Sequence, residues 1–187
     1  MTTLQALVDE LKDRAPLDRE LREMARLLST AGASWAVPRP LVARANAYTR
    51  TSVHREGRFE VVLLNWAAGA FSGIHDHGGR HCWMSVLEGS LLVDDYARLD
   101  RGERAGYARI EARDSRLLGT GELDLRSGPF DLHRVGATAD APAISLHVYA
   151  APLQEYGVYD ELSERCQTAL GTYDDVLDDP RRLVPVR

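Results

Sequence analysis

The tightest constraint in this chain is the stretch Gly69-Ala-Phe-Ser-Gly-Ile-His75-Asp-His77-Gly-Gly. An apolar run ends in two histidines one residue apart, and a glycine pair follows at once. Side chains at i and i+2 leave a strand on the same face. His75 and His77 can therefore point at one spot, while Asp76 faces the other way. A third histidine, His133, lies far along the chain beside another strand-like run. Three neutral imidazoles with positions left open suit a first-row transition metal that performs chemistry. Taken alone, the histidine pair fits a solvated loop equally well, so the wider pattern decides.

That pattern is mainly β behind a helical start. Leu4, Leu7, Val8 and Leu11 predict a helix over residues 3–13. After Ala15-Pro16, the residues Leu21, Met24, Ala25, Leu27 and Leu28 predict a second helix over about 17–30, with Gly32 as its stop. Trp35, Pro38 and Pro40 mark a loop, and a short helix is expected before Ala47. From Tyr48 onward the texture changes to short β-branched and aromatic runs divided by glycines. Strands are predicted at Phe59–Trp66, Trp83–Leu87, Gly89–Tyr96, Ala108–Ala112, Gly121–Leu125, His133–Val135 and Ala143–Ala150. So many short strands make a sandwich or a barrel. From about Tyr159 the chain reads as helical to irregular, with Cys166 in a helical pattern. A single domain over 1–187 is expected, with a helical segment (1–47) packed on a β core (48–150) and a C-terminal extension (151–187).

Charge and cysteine usage narrow the function classes. A net charge of -5 argues against nucleic acid, which wants a basic surface. No apolar stretch reaches the roughly 18 residues needed to span a bilayer, and the first residues carry no basic, then apolar, leader. The two cysteines, Cys82 and Cys166, make neither a disulfide framework nor a CxxC zinc pair. A cytoplasmic protein without membrane or nucleic-acid partners is expected. No coiled-coil seam is visible, so a monomer is expected too.

The spacing around the histidines carries a family resemblance. Gly69, five residues, His75-Asp-His77, four residues, Cys82, six residues and Gly89 resemble the first cupin motif, with Cys82 where a glutamate ligand commonly stands. Tyr48-Thr-Arg50, His81-Cys82, His133-Arg134-Val135 and Ser145-Leu-His147-Val-Tyr149 follow in order. Over roughly residues 45–150 the chain resembles the thiol dioxygenases of the cupin superfamily, and within them the cysteine dioxygenase family. The resemblance implies a cupin-type small β-barrel with N-terminal helices and a short helical or irregular C-terminal segment.

It also implies roles. His75, His77 and His133 would be the ligands of one Fe(II) per chain. Arg50 would hold the substrate carboxylate, with Tyr48 helping to line the pocket. Cys82 and Tyr149 would form a thioether cross-link beside the iron, and Ser145 and His147 would support Tyr149 from behind. The implied reaction joins L-cysteine and O2 to give cysteine sulfinic acid. Relatives that oxidise 3-mercaptopropionate carry glutamine where Arg50 stands, so Arg50 favours cysteine. The stretch Tyr149-Ala-Ala-Pro152 departs from the serine and prolines of familiar members. Two other readings stay open at this point: a dioxygenase of another small thiol, and a metal-binding cupin without turnover.

The relay is plausible from the residues alone, whereas Arg50 without the resemblance reads more readily as a surface arginine. An arginine's planar fork matches a carboxylate bidentately, where lysine is a poorer substitute. Ser145, His147 and Tyr149 recur with a period of two and so share one strand face.

Overall fold

The computed structural model describes residues 4–14, 21–32 and 42–177. The expected loop at Trp35, Pro38 and Pro40 and the Pro- and Arg-containing tail lie outside the described residues. In chain order the elements are α1 (Leu4–Arg14), α2 (Leu21–Gly32), β1 (Tyr48–Glu56), β2 (Phe59–Trp66), β3 (Ile74–His75), β4 (Cys82–Glu88), β5 (Ser90–Arg98), β6 (Ile110–Gly119), β7 (Leu123–Arg126), β8 (Leu132–Ala137), β9 (Ala143–Tyr149), β10 (Glu155–Asp160), β11 (Arg165–Leu170) and β12 (Asp175–Val176). Among the described residues no helix is long and apolar enough to cross a membrane.

The strands form two six-stranded sheets. The first runs β12-β1-β2-β9-β4-β7 and the second β11-β10-β3-β8-β5-β6. The expected barrel thus takes the form of two facing sheets that no shared ladder closes. The first sheet is covered on both faces. Val61, Leu63, Trp83, Leu87, Ile144, Leu146 and Val148 pack with Leu4, Leu7, Val8, Leu11, Met24 and Leu28 of the helices. Alternate residues Val62, Leu64, Trp66, Cys82, Met84, Val86 and Tyr149 pack with Leu91, Val93, Leu118, Val135 and Ala137 of the second sheet. This two-sided burial explains why β2 is apolar at almost every position and lacks the alternation of a half-solvated strand. Each fully buried aliphatic side chain adds about 1.5–3 kcal/mol, so the two central strands anchor the fold.

Three expectations need correction. Residues 42–47 hold a turn and no helix; Asn46 takes a left-handed conformation (φ 57) as the chain enters β1. Tyr48–Glu56, expected only as the approach to the first strand, is itself a strand of nine residues. Among the described residues the C-terminal segment holds no helix: β10 and β11 form a hairpin, so Cys166 sits in a strand opposite Tyr159. The physical reason is tertiary pairing. β10 pairs antiparallel with β3, Val158 opposite His75 and Tyr159 opposite Ile74, and these ladder bonds override weak local propensity. The hairpin is therefore no appendage, since it forms the wall beside the first histidine.

Candidate metal centre

His75, His77 and His133 come together. Their nearest ring nitrogens all lie within 4.8 Å of one another. The ring centroids are 5.2 Å apart for His75 and His77, 4.7 Å for His75 and His133, and 5.0 Å for His77 and His133. The register explains the cluster: β3 pairs with β8 so that His75 stands directly opposite His133. His77 joins them through a tight turn. Asp76 accepts hydrogen bonds from the Gly78 and Gly157 amides (2.8 and 2.9 Å) and from the Tyr159 hydroxyl (2.6 Å). Gly78 has φ 59, and a Cβ there would collide with the Glu155 carbonyl. Asp76 is thus the anchor of the histidine turn, facing away from the cluster as its parity predicted.

The three rings fit a metal as neutral donors. Burial drives the His75 pKa down to about 3, helped by His133. Burial likewise puts His77 well below its ordinary value and lowers His133 despite the nearby Asp124 carboxylate. His75 Nδ1 donates to the Gly73 carbonyl (2.9 Å) and His133 Nδ1 to Asp124 Oδ2 (3.2 Å). Both bonds leave Nε2 unprotonated and free to coordinate. His77, only 2% exposed, keeps a buried Nδ1 with no hydrogen-bond partner. A polar ring held dry among two others is costly unless something binds it. His81 stays apart, its ring against Trp83.

Beside the histidines lies a cavity of about 60 Å³ that Tyr48, Arg50, His75, His147, Tyr149 and Tyr156 help to line. At 10–15 Å³ per water-sized guest, that space admits roughly four to six non-hydrogen atoms. Arg50 is well covered, and its Nε and Nη2 are buried without a hydrogen-bond partner. Burial opposes its charge, but Tyr149, Tyr48 and Glu60 outweigh burial and hold the guanidinium above its ordinary pKa. Two unpaired cationic donors aimed at an enclosed space are a ready site for an anion. A larger open groove of about 740 Å³ runs between Arg104–Tyr107 and Asp160–Gln167, but none of the three histidines faces it.

The support residues share β9 and its neighbours. Cys82 stands directly opposite Tyr149 across β4 and β9, a separation at which Cβ atoms are ~5 Å apart. Both side chains are buried, at 1% and 2% exposure. Burial pushes the Cys82 thiol and the Tyr149 phenol up, so each stays protonated near neutrality. Ser145 Oγ lies 2.9 Å from His147 Nε2 and accepts the Trp66 indole N–H at 2.9 Å. The serine hydroxyl thus bridges the Trp66 indole and the His147 ring and fixes where that ring sits. The expected relay stops one step short. His147 and Tyr149 lie side by side, centroids 6.1 Å apart, while the Tyr149 hydroxyl approaches the Arg50 guanidinium.

The sequence reading missed Asp124 and Arg126. Asp124, 3% exposed, holds His133 and accepts two bonds from Arg126, at 2.6 and 2.8 Å. Arg116 reaches it at 2.8 Å, and Arg126 continues to Asp95 and Asp131. Burial works against the Asp124 charge, but His133 and Arg126 hold the carboxyl far below its ordinary pKa. A signal existed: in Leu123-Asp-Leu-Arg126 the charges turn inward while Leu125 is 41% exposed. Such inverted alternation has no reason in a purely structural strand.

Comparison with known proteins agrees with this geometry. A family model described as cysteine dioxygenase type I matches residues 2–162. Cysteine dioxygenase type 1 of Danio rerio is 30% identical over 128 residues, covering 67% of this chain and 62% of that protein. The Homo sapiens protein of the same name is 31% identical over 116 residues, 61% of this chain and 56% of its own length. The chain thus aligns with less than two thirds of these relatives. Among solved structures, a conserved protein with a double-stranded β-helix domain from Klebsiella pneumoniae superposes with a TM-score of 0.48 at 15% identity, covering 64% of this chain and 90% of that one.

Proposed function

The chain belongs to the cysteine dioxygenase type I family, and from that premise we propose that it is an Fe(II)-dependent dioxygenase of L-cysteine on a mainly β fold of cupin type. The reaction adds both atoms of O2 to the thiol, giving cysteine sulfinic acid. The observation that carries the reading is a cavity lined both by His75, one of three clustered neutral imidazoles, and by Arg50, whose Nε and Nη2 have no partner. Bound at His75, His77 and His133, iron supplies the redox chemistry that unites a thiolate with O2.

The chain's own residues do the rest. The neutral donors leave the positive charge of the site uncancelled, which favours an anionic sulfur. Arg50 takes the carboxylate at its free Nε and Nη2 edge and so fixes where the sulfur can sit. Tyr48 and Tyr149 complete the polar wall, and Trp66, Leu64 and Val135 keep it dry. Tyr149, still protonated, donates its hydroxyl toward the carboxylate or the oxygen. Free Cys82 and Cys166 support a reducing compartment, the cytoplasm.

Arg50→Gln tests the reading. A charged hydrogen bond is worth about 1.5–3 kcal/mol, so KM for L-cysteine should rise roughly 10- to 150-fold. KM for cysteamine, a thiol without a carboxylate, should stay within about twofold. Equal changes for both thiols in oxygen-uptake assays would remove Arg50 from substrate binding.

Cys82 gives a separate check. Joining its sulfur to the Tyr149 ring removes the thiol hydrogen and one ring hydrogen, with oxygen as the acceptor. Intact-mass analysis of wild type after turnover should show a species lighter by that pair. Cys82→Ala should lack it yet bind iron normally. Loss of iron in that variant would make Cys82 a ligand instead.

A further inference from the structure

We propose that Tyr173 is a positioning residue that holds the Arg50 guanidinium for carboxylate-bearing thiols, carried by a strap (residues 171–177) that lies beyond the family match. The inference rests on the Arg50 reading above. The strap is built onto β1 from Arg50 to Ser52, and Arg55 also lies 6.0 Å from the Tyr173 ring. Asp174 Oδ2 accepts the Arg50 amide at 2.8 Å, and the Asp174 amide donates to the Arg50 carbonyl at 2.8 Å. β12 then continues parallel to β1, Thr51 opposite Asp175. At the strap's other end Gly171 donates to the Gln154 carbonyl at 2.9 Å. Any side chain at Gly171 would strike the Leu153 carbonyl, so only glycine lets the strap lie this close.

Between these anchors the Tyr173 ring faces the Arg50 guanidinium, 5.9 Å from its carbon. The Tyr173 hydroxyl donates to Glu60. Glu60 is wholly buried and is fixed in turn by the Leu153 amide at 2.9 Å. The arrangement has a specific chemical merit. An aromatic ring attracts a guanidinium through its face, which leaves the in-plane N–H edge unspent. A carboxylate partner in the same place would consume that edge. Arg50 is therefore steadied from behind while Nε and Nη2 stay unpaired. Glu60 supplies countercharge through the phenol without bonding the arginine itself.

The test uses full-length, iron-loaded protein and two probes, L-cysteine and cysteamine. Anaerobic equilibrium binding is measured beside KM and kcat under air. Tyr173→Leu should weaken L-cysteine binding and raise its KM roughly three- to thirtyfold, the range of a desolvated cation–π contact. Cysteamine binding and kcat should stay within about twofold. Tyr173→Phe, which keeps the ring, should restore most of the loss. If the leucine variant does not fold, Tyr173→Gln keeps a donor for Glu60, removes the aromatic face and should show the same selective loss. Equal weakening of both probes, or of neither, overturns the proposal. Wild type that binds L-cysteine anaerobically but forms no sulfinate would sink the dioxygenase reading alone, and the binding comparison would still judge Tyr173.

Discussion

His77→Ala should weaken iron binding by about two orders of magnitude and abolish turnover at ordinary iron concentrations. Closed metal sites of four ligands bind with about 10–16 kcal/mol, so one ligand is worth ~3 kcal/mol, or roughly 100-fold in Kd. His77 is the most informative of the three because its Nδ1 has no protein partner. Deleting an unsatisfied buried polar group removes a desolvation cost, so the metal-free variant should melt no lower than metal-free wild type. The difference appears on loading. Iron at 100 times the wild-type Kd stabilises the wild type by about 2.7 kcal/mol, and at the same concentration this increment should fall to about 0.4 kcal/mol in the variant. Thermal melts with and without iron, paired with metal analysis, measure both. A variant that keeps wild-type iron affinity would show that the imidazole trio holds nothing.

Asp124→Asn should damage both stability and metal binding. Removing one charge of a buried ion pair costs about 3–5 kcal/mol. Asparagine keeps the shape and one acceptor, which puts the loss near ~3 kcal/mol. For a chain of this size that is about 6–12 °C in Tm. The loss falls chiefly on Arg126, only 5% exposed, which then depends on Asp95 and Asp131 alone. His133 meanwhile loses the carboxylate that orients its ring, and weakening such a partner lowers metal affinity about 10- to 100-fold. Arg116→Gln is the contrast. Arg116 is 38% exposed, so its loss should cost less than about 1 kcal/mol. Parallel melts and chelator competition would separate these outcomes. An unchanged iron affinity in Asp124→Asn would mean that His133 needs no such support.

Much of this site was legible in the sequence because its signals are periodic. His75 and His77 lie two apart, as do Ser145, His147 and Tyr149 along β9, and that period survives any error in strand length, even though β3 ends at His75. The core strands were visible for a similar reason, Phe59–Trp66 being apolar on both faces. What escaped depends on pairing between distant segments. β10 and β11 carry mixed residues with no strong local preference, and only their partner β3 makes them strands. Tyr156 reaches the cavity through that pairing and Tyr173 reaches Arg50 from the strap beyond it, with nothing in their neighbours to announce either. Asp124 drew no notice because a lone acid in a short strand is normally a surface charge. The half-formed relay has the same origin: spacing shows that His147 and Tyr149 share a face, not which of Arg50 or His147 the phenol turns toward.

The strand that delivers the first histidine is two residues long and owns no stability of its own. It is held by β8 on one side and β10 on the other, and Tyr159 reaches Asp76 from 83 residues downstream. Closing loops of that length is entropically slow. A ribosome-bound chain that has already made all three histidines would still lack the hairpin that aligns them. Metal capture then waits for residues 155–170, and the emergence of that hairpin sets the moment when the site comes into being.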